Sequence, residues 1–204
     1  MIHNFDLSLQ HERQQAGLAD AFYREVLHVS EIIRYNSDTE HDMDMQRQDV
    51  DVTIVRKGIS YKVSEKFRSK DYGDLYVEVF SKYPHVKGWL ETGTPNAILY
   101  FTPESVYWIT HKSLSTFCLH TLFPLVPPAW YAEIFNSGKP RISKTLRFDN
   151  RMIALTLIQA HNRLDGCCWE TIGLCAPFSF FEENGVRIRK YPLEKSGRGG
   201  AAFF

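Results

Sequence analysis

Neither sign of charge prevails in this 204-residue chain: 24 Lys and Arg stand against 24 Asp and Glu. A strongly basic balance is the electrostatic footprint of many nucleic-acid binders. Its absence counts against tight nonspecific DNA binding, although a local basic patch is compatible with a zero sum. Long apolar runs are missing as well. None reaches the ~18 residues that a membrane span needs. The opening MIHNFDLSLQHERQQ has no basic segment leading into an apolar one, so no secretory signal is expected. Cysteine is scarce: Cys118, Cys167, Cys168 and Cys175 are four thiols without zinc-finger spacing, with His161 the nearest histidine to the adjacent pair. Reduced thiols in a cytoplasmic protein are the plainer expectation. GxxxxGK[ST], GxGxxG after a strand, HExxH and GxSxG are all lacking. That removes the signatures of phosphate-loop, dinucleotide-binding, zinc-protease and serine-hydrolase chemistry. No repeat or linker interrupts the chain, so residues 1–204 are expected as one domain, with a Gly-rich mobile tail over 195–204.

What is present is apolar periodicity in both registers. Leu9, Ala16, Ala19, Phe22, Tyr23, Val26 and Leu27 recur at helical spacing, which predicts a helix over 8–35 with Ser8 as a candidate cap. Glu12 and Asp20 are its acidic positions. Residues 36–48 read as a polar loop. DTEHDMD within it lacks the Gly and closing Glu of a calcium hand. Alternation then predicts strands over 50–55, 59–68 and 74–80, with a turn at Arg56-Lys57-Gly58. Residues 81–96 read as mostly turn, with Trp89 as a core anchor. A hairpin is expected over 97–101 and 105–109, then a helix over 112–123 that Pro124, Pro127 and Pro128 stop. Residues 151–158 suggest a strand, and 185–191 an exposed edge strand. FPLVPPAWYAEIF over 123–135 is either core or a partner surface. These elements predict an α+β (or α/β) fold with a central mixed sheet, an N-terminal helix and flanking helices.

The stretch from Asp49 to Glu78 concentrates the chemistry-bearing residues. Asp49 and Asp51 open its first strand, Glu65 and Lys66 close the second, and Asp74 and Glu78 lie on the third. Neighbouring strands lie ~5 Å apart, so an Asp on one and a Glu or Lys on the next can share a divalent ion and a water. Parity places Tyr61, Val63, Glu65 and Phe67 on one face and Lys62, Ser64, Lys66 and Arg68 on the other. A carboxylate among apolar neighbours, as Glu65 is, is costly unless paired or metal-bound. The same charges can equally form a cross-strand network of Asp51, Lys66, Arg68 and Asp74 with no metal.

In order and strand context, an acidic helix, then QDVDV, then VSEKFR, then YGDLYVEVFS and GWL, the first half of the chain resembles the PD-(D/E)xK nuclease superfamily of phage and mobile-element type. The resemblance implies a restriction-endonuclease-like core and a metal-dependent nuclease hydrolysing DNA phosphodiester bonds with Mg²⁺ or Mn²⁺. It makes Asp51 the metal-binding aspartate and Lys66 the catalytic lysine. The acid expected two residues before that lysine falls on Ser64. Glu65 takes its place if the strand is distorted, and Asp20, Asp74 or Glu78 supplies a further ligand. Arg68 and Lys70 are the candidate phosphate contacts. The other outcome is a nuclease fold without catalysis that binds DNA or a protein. Expected partners are DNA, with a protein or a second copy of the chain as the alternative, and no membrane.

Overall fold

The computed structural model describes residues 2–164 and 166–193, with side chains from residue 15 onward. The expected tail over 195–204 lies outside the described residues, and Ser8 and Glu12 lie outside the described side chains. In chain order the elements are β1 (Ile2–Asn4), α1 (Phe5–Glu25), β2 (Glu31–Arg34), α2 (Glu40–Arg47), β3 (Val52–Arg56), β4 (Ile59–Phe67), β5 (Asp74–Lys82), β6 (Val86–Lys87), α3 (Trp89–Thr92), β7 (Ala97–Phe101) and β8 (Ser105–Thr110). There follow α4 (His111–Phe117), a π-helical turn (Cys118–Leu122), α5 (Phe123–Leu125), α6 (Pro128–Ser137), β9 (Arg141–Phe148), β10 (Arg151–Leu164), β11 (Cys167–Pro177), α7 (Phe178–Glu183) and β12 (Ile188–Pro192). The fold is α+β with mixed sheets. Among the described residues no helix is long and apolar enough to cross a membrane.

The chain sorts into two compact units, each assembled from separated segments. Of the described residues, one holds 10–72, 93–112 and 187–193; the other holds 2–9, 73–92, 113–164 and 166–186. Interleaving of this kind leaves no linker to read in a sequence.

The first of these, the α1 unit, carries a sheet in the order β12-β8-β7-β4-β3-β2. All its pairings are antiparallel except β4 with β7. Ala19, Phe22 and Tyr23 of α1, with Leu27 just beyond its end, bury against Val52, Ile54, Val63, Leu99, Phe101 and Val106. Each large side chain so buried contributes about 1.5–3 kcal/mol. Phe22 meets Phe101 and Tyr191 edge to face, and β12 forms the sheet edge expected near 185–191.

The helix expected over 8–35 ends at Glu25 instead. Leu27 continues the helical period and is buried, but His28 takes a left-handed φ of 54° and turns the chain. The β-branched pair Ile32-Ile33 then forms β2 against β3. The loop expected over 36–48 contains α2, started by Thr39, whose side chain accepts the Asp42 amide. The third strand of the 49–78 stretch, β5, is not a neighbour of β4. The flanks of β4 are β3 and β7. β7 is buried along its whole length, as a strand inside a covered sheet should be.

In the second, the hairpin unit, β10 and β11 form a long antiparallel pair, with β5 on the far side of β11 and β9 against β10. Leu155, Leu157, Ile172, Leu174 and Val77 are buried. Phe117, Phe148, Phe180 and Phe181 pack edge to face. Gly173 lies beneath the Tyr76 ring, where an added Cβ would come within 2.3 Å of a ring carbon. Trp89 is buried, as expected of a core anchor. Of the 123–135 stretch, Tyr131 and Ile134 are core, while Leu125 and Phe135 are 46% and 40% exposed.

Candidate functional site

The sequence-predicted residues fall on the two faces of β4 in the α1 unit. Asp51 donates its backbone N–H to the Val63 carbonyl at 3.0 Å, which sets Asp51 beside Ser64. Alternation then puts Lys66 on the same face. The Ser64 hydroxyl is fully buried and reaches both carboxylates, Asp49 Oδ2 at 2.8 Å and Asp51 Oδ2 at 3.4 Å. Lys66 Nζ lies 2.7 Å from Asp49 Oδ1. Asp51 also accepts the Glu65 backbone N–H at 2.6 Å. Two carboxylates, a hydroxyl and an ammonium group therefore share one face.

Asp49 is held there by the end of α2. The Gln48 and Val50 amides both donate to the Met45 carbonyl, and the Asp49 amide donates to that of Gln46. This helix-ending turn requires a left-handed residue, a position usually taken by Gly. Asp49 occupies it at φ 56°. A side chain with a Cβ pays a conformational penalty there, and in return its carboxylate reaches Ser64 and Lys66.

Glu65 is not the acid of this face. It points to the α1 side of the sheet, where the Arg34 guanidinium meets its carboxylate at 2.9 and 3.2 Å and the Tyr23 hydroxyl donates to it at 2.5 Å. Arg34 also holds Asp20 at 2.6 Å and the Ala16 carbonyl at 3.0 Å. Asp20 and Glu65 are thus committed to Arg34. Burial opposes the Arg34 charge, but hydrogen bonds and charges from Glu65 and Asp20 outweigh it and move its pKa up. Burial, reinforced by Glu65, moves the Tyr23 phenol well up, so it stays a donor. Asp74 and Glu78 belong to the hairpin unit, where the Ser81 hydroxyl donates to Glu78. Arg68 lies over the Tyr72 ring at 5.5 Å, and Lys70 is exposed.

Electrostatics single out Asp51. Burial raises its pKa from 3.8 to about 6; Lys66 and the Glu65 amide pull it down, while Asp49 and Glu65 push it up. A carboxylate so placed is short of positive charge, and a divalent cation would supply it. Among the described residues no three His, Cys, Asp or Glu side chains converge to hold a metal. The donor set, two carboxylates and one hydroxyl, fits an ion that keeps several waters and takes few protein oxygens, as Mg²⁺ does.

His111, which no sequence pattern singles out, follows β8 and is 8% exposed. Its Nε2 is buried without a hydrogen-bond partner. Burial lowers its pKa against the field of Asp49. Cys118 is fully buried, with its thiol pKa pushed well up, while Cys167 and Cys168 are exposed. Comparison with family models, curated proteins and solved structures returns no match to this chain.

Proposed function

We propose that the α1 unit is the centre of a metal-dependent nuclease in which Asp49 and Asp51 hold Mg²⁺ or Mn²⁺ and Lys66 assists phosphodiester hydrolysis. The observation that carries this reading is the Ser64 hydroxyl, which reaches both carboxylates on the face that bears Lys66. Ser64 stands where the resemblance expects an acid, and Asp49 brings a carboxylate within 2.8 Å of it. The migrated acid is then Asp49 rather than Glu65. A cation held there would supply Lewis acidity and would lower the pKa of a bound water, whose hydroxide is the nucleophile toward phosphorus. Lys66 has three donors, of which Asp49 takes one, and it can turn another to a phosphoryl oxygen where charge develops. Asp51, half-buried and with a raised pKa, anchors the cation.

The test uses the full chain with plasmid and linear DNA, with Mg²⁺, Mn²⁺ or chelator. Metal-dependent cleavage is expected, and Asp49→Asn, Asp51→Asn and Lys66→Ala should each reduce it by about 10²–10³-fold. Cleavage undiminished in all three variants rejects the assignment.

A second reading rests on the acid count. With Ser64 neutral and Glu65 committed to Arg34, the face carries only two carboxylates, as a nuclease fold turned to binding DNA or a protein would. Thermal unfolding separates the two. Ligands that bind only the native state raise its melting temperature, so a rise with Mg²⁺ that Asp51→Asn removes favours the nuclease. No rise favours the binding module.

A further inference from the structure

We propose that the outward face of β9, in the hairpin unit, is a track for the phosphodiester backbone of a nucleic acid. The choice of occupant rests on the nuclease reading; the chemistry of the face does not. β9 pairs only with β10 among the described residues and so lies at a sheet edge. Its outward residues are Arg141, Ser143, Thr145 and Arg147, all exposed. Their cross-strand partners on β10 are Ile158, Thr156, Ala154 and Met152. No carboxylate stands among these eight positions.

The inner face shows what this protein does with cations it neutralises. Lys144 holds Glu133 at 2.6 Å and lies over Trp130, and Arg151 holds Glu183 at 2.5 Å. Arg141 and Arg147 make no ion pair among the described residues. The chain's zero net charge therefore hides a local excess: of the five basic side chains over residues 139–151, Lys144 and Arg151 are paired, which leaves Lys139, Arg141 and Arg147 against Asp149.

The spacing fits a polyanion. Alternate residues of an antiparallel strand are ~7 Å apart, comparable to neighbouring phosphates along a nucleic-acid strand. Arg141 and Arg147 then anchor the ends of a run whose middle is filled by two hydroxyl donors. Arginine, serine and threonine are common phosphate contacts. No aromatic ring is present on these positions for bases to stack upon, so the track reads backbone rather than sequence. Charge on an edge strand also blocks pairing with other sheets, but that task does not require a face free of acids.

The test is binding of the full chain to labelled single-stranded DNA, single-stranded RNA and duplex DNA, in chelator so that nothing is cut, over a range of salt. Arg141→Gln/Arg147→Gln should weaken binding roughly tenfold or more and lower the slope of log affinity against log salt by about 2. Lys57→Gln/Lys190→Gln changes net charge equally at exposed positions elsewhere and should change binding little. Unfolding curves confirm that both pairs fold. The three nucleic acids show which strand form the track prefers. Equal losses in the two pairs, no binding by the unsubstituted chain, or equal competition by polyglutamate overturns the proposal. A protein that binds through β9 but never cleaves sinks the nuclease alone, and one that cleaves and ignores the β9 substitutions sinks only the track.

Discussion

One strand, β4, carries charge on both faces, and the two faces treat it differently. On the α1 side, Glu65 is 5% exposed and Arg34 17%. The Glu65 carboxylate is met by Arg34 and Tyr23, and the guanidinium also holds Asp20 and a backbone carbonyl. On the other side, Asp51 is half-buried and has no guanidinium beside it, and desolvation raises its pKa to about 6. A closed network of this kind holds elements together and has little left to offer a substrate. An electrostatically incomplete one is costly until something binds. Perturbed carboxylates concentrate at functional sites for that reason, and the proposed reading gives Glu65 a structural part and Asp51 the chemical one.

The sharpest way to break that comparison is to remove Arg34. Taking one partner from a buried ion pair costs about 3–5 kcal/mol, because the other charge stays behind. Arg34→Ala should therefore lower the melting temperature by roughly 10 °C, measured by thermal unfolding. Glu65→Gln should destabilise in the same direction, yet its cleavage per folded molecule should survive. Loss of cleavage without loss of stability in Glu65→Gln would return that residue to the site. On the other face the effects should invert. Lys66→Ala and Asp51→Asn should reduce cleavage by about 10²–10³-fold, with the protein still folded at the assay temperature.

The next effect is one of pH. The Asp51 carboxyl has a pKa of about 6 in the folded chain against an ordinary 3.8. Between those values the native state holds more proton than the unfolded one, so its stability falls as pH rises from about 4 to 6 and levels above. Two pH units correspond to about 3 kcal/mol as a ceiling. Asp51→Asn cannot ionise, and its amide oxygen can still accept the Glu65 N–H. The variant should gain melting temperature over the unsubstituted chain, little near pH 4 and most near pH 7. A gap that does not widen with pH would place the cost of Asp51 elsewhere.

Much of this was legible before any coordinates. The strands β3 and β4 announce themselves by alternation about Lys57-Gly58, and β7 and β8 as two short apolar runs either side of Pro103. Parity along β4 correctly puts Ser64 and Lys66 opposite Glu65. The end of α1 was not legible, because Leu27 keeps the helical period while the chain already turns at His28. Nor was β11, whose central residues from Ile172 to Ala176 are all buried and so do not alternate. The strand β5 reads as a strand, but its partner is β11 rather than β4, and a one-dimensional pattern does not carry pairing. The same limit hid Arg34, which lies 31 residues from Glu65, and His111, a lone histidine at a helix start.

Asp49 was visible as a carboxylate, but its role depends on the left-handed turn after α2, and that gives the smallest and most discriminating prediction. Replacing Asp49 with glycine has two opposed effects. It relieves a left-handed conformation worth about 1–2 kcal/mol. It also removes hydrogen bonds to Ser64 and Lys66, worth about 1–3 kcal/mol together. The two nearly cancel, so Asp49→Gly should change unfolding free energy by about 1 kcal/mol or less, by the same two magnitudes. Asp49→Ala loses the same bonds and keeps the backbone penalty, so it should be the less stable variant. Both should lose cleavage and the Mg²⁺-dependent rise in melting temperature alike. If glycine and alanine destabilise equally, the backbone at position 49 is unstrained, and the argument that this aspartate is kept for its carboxylate against a conformational cost falls.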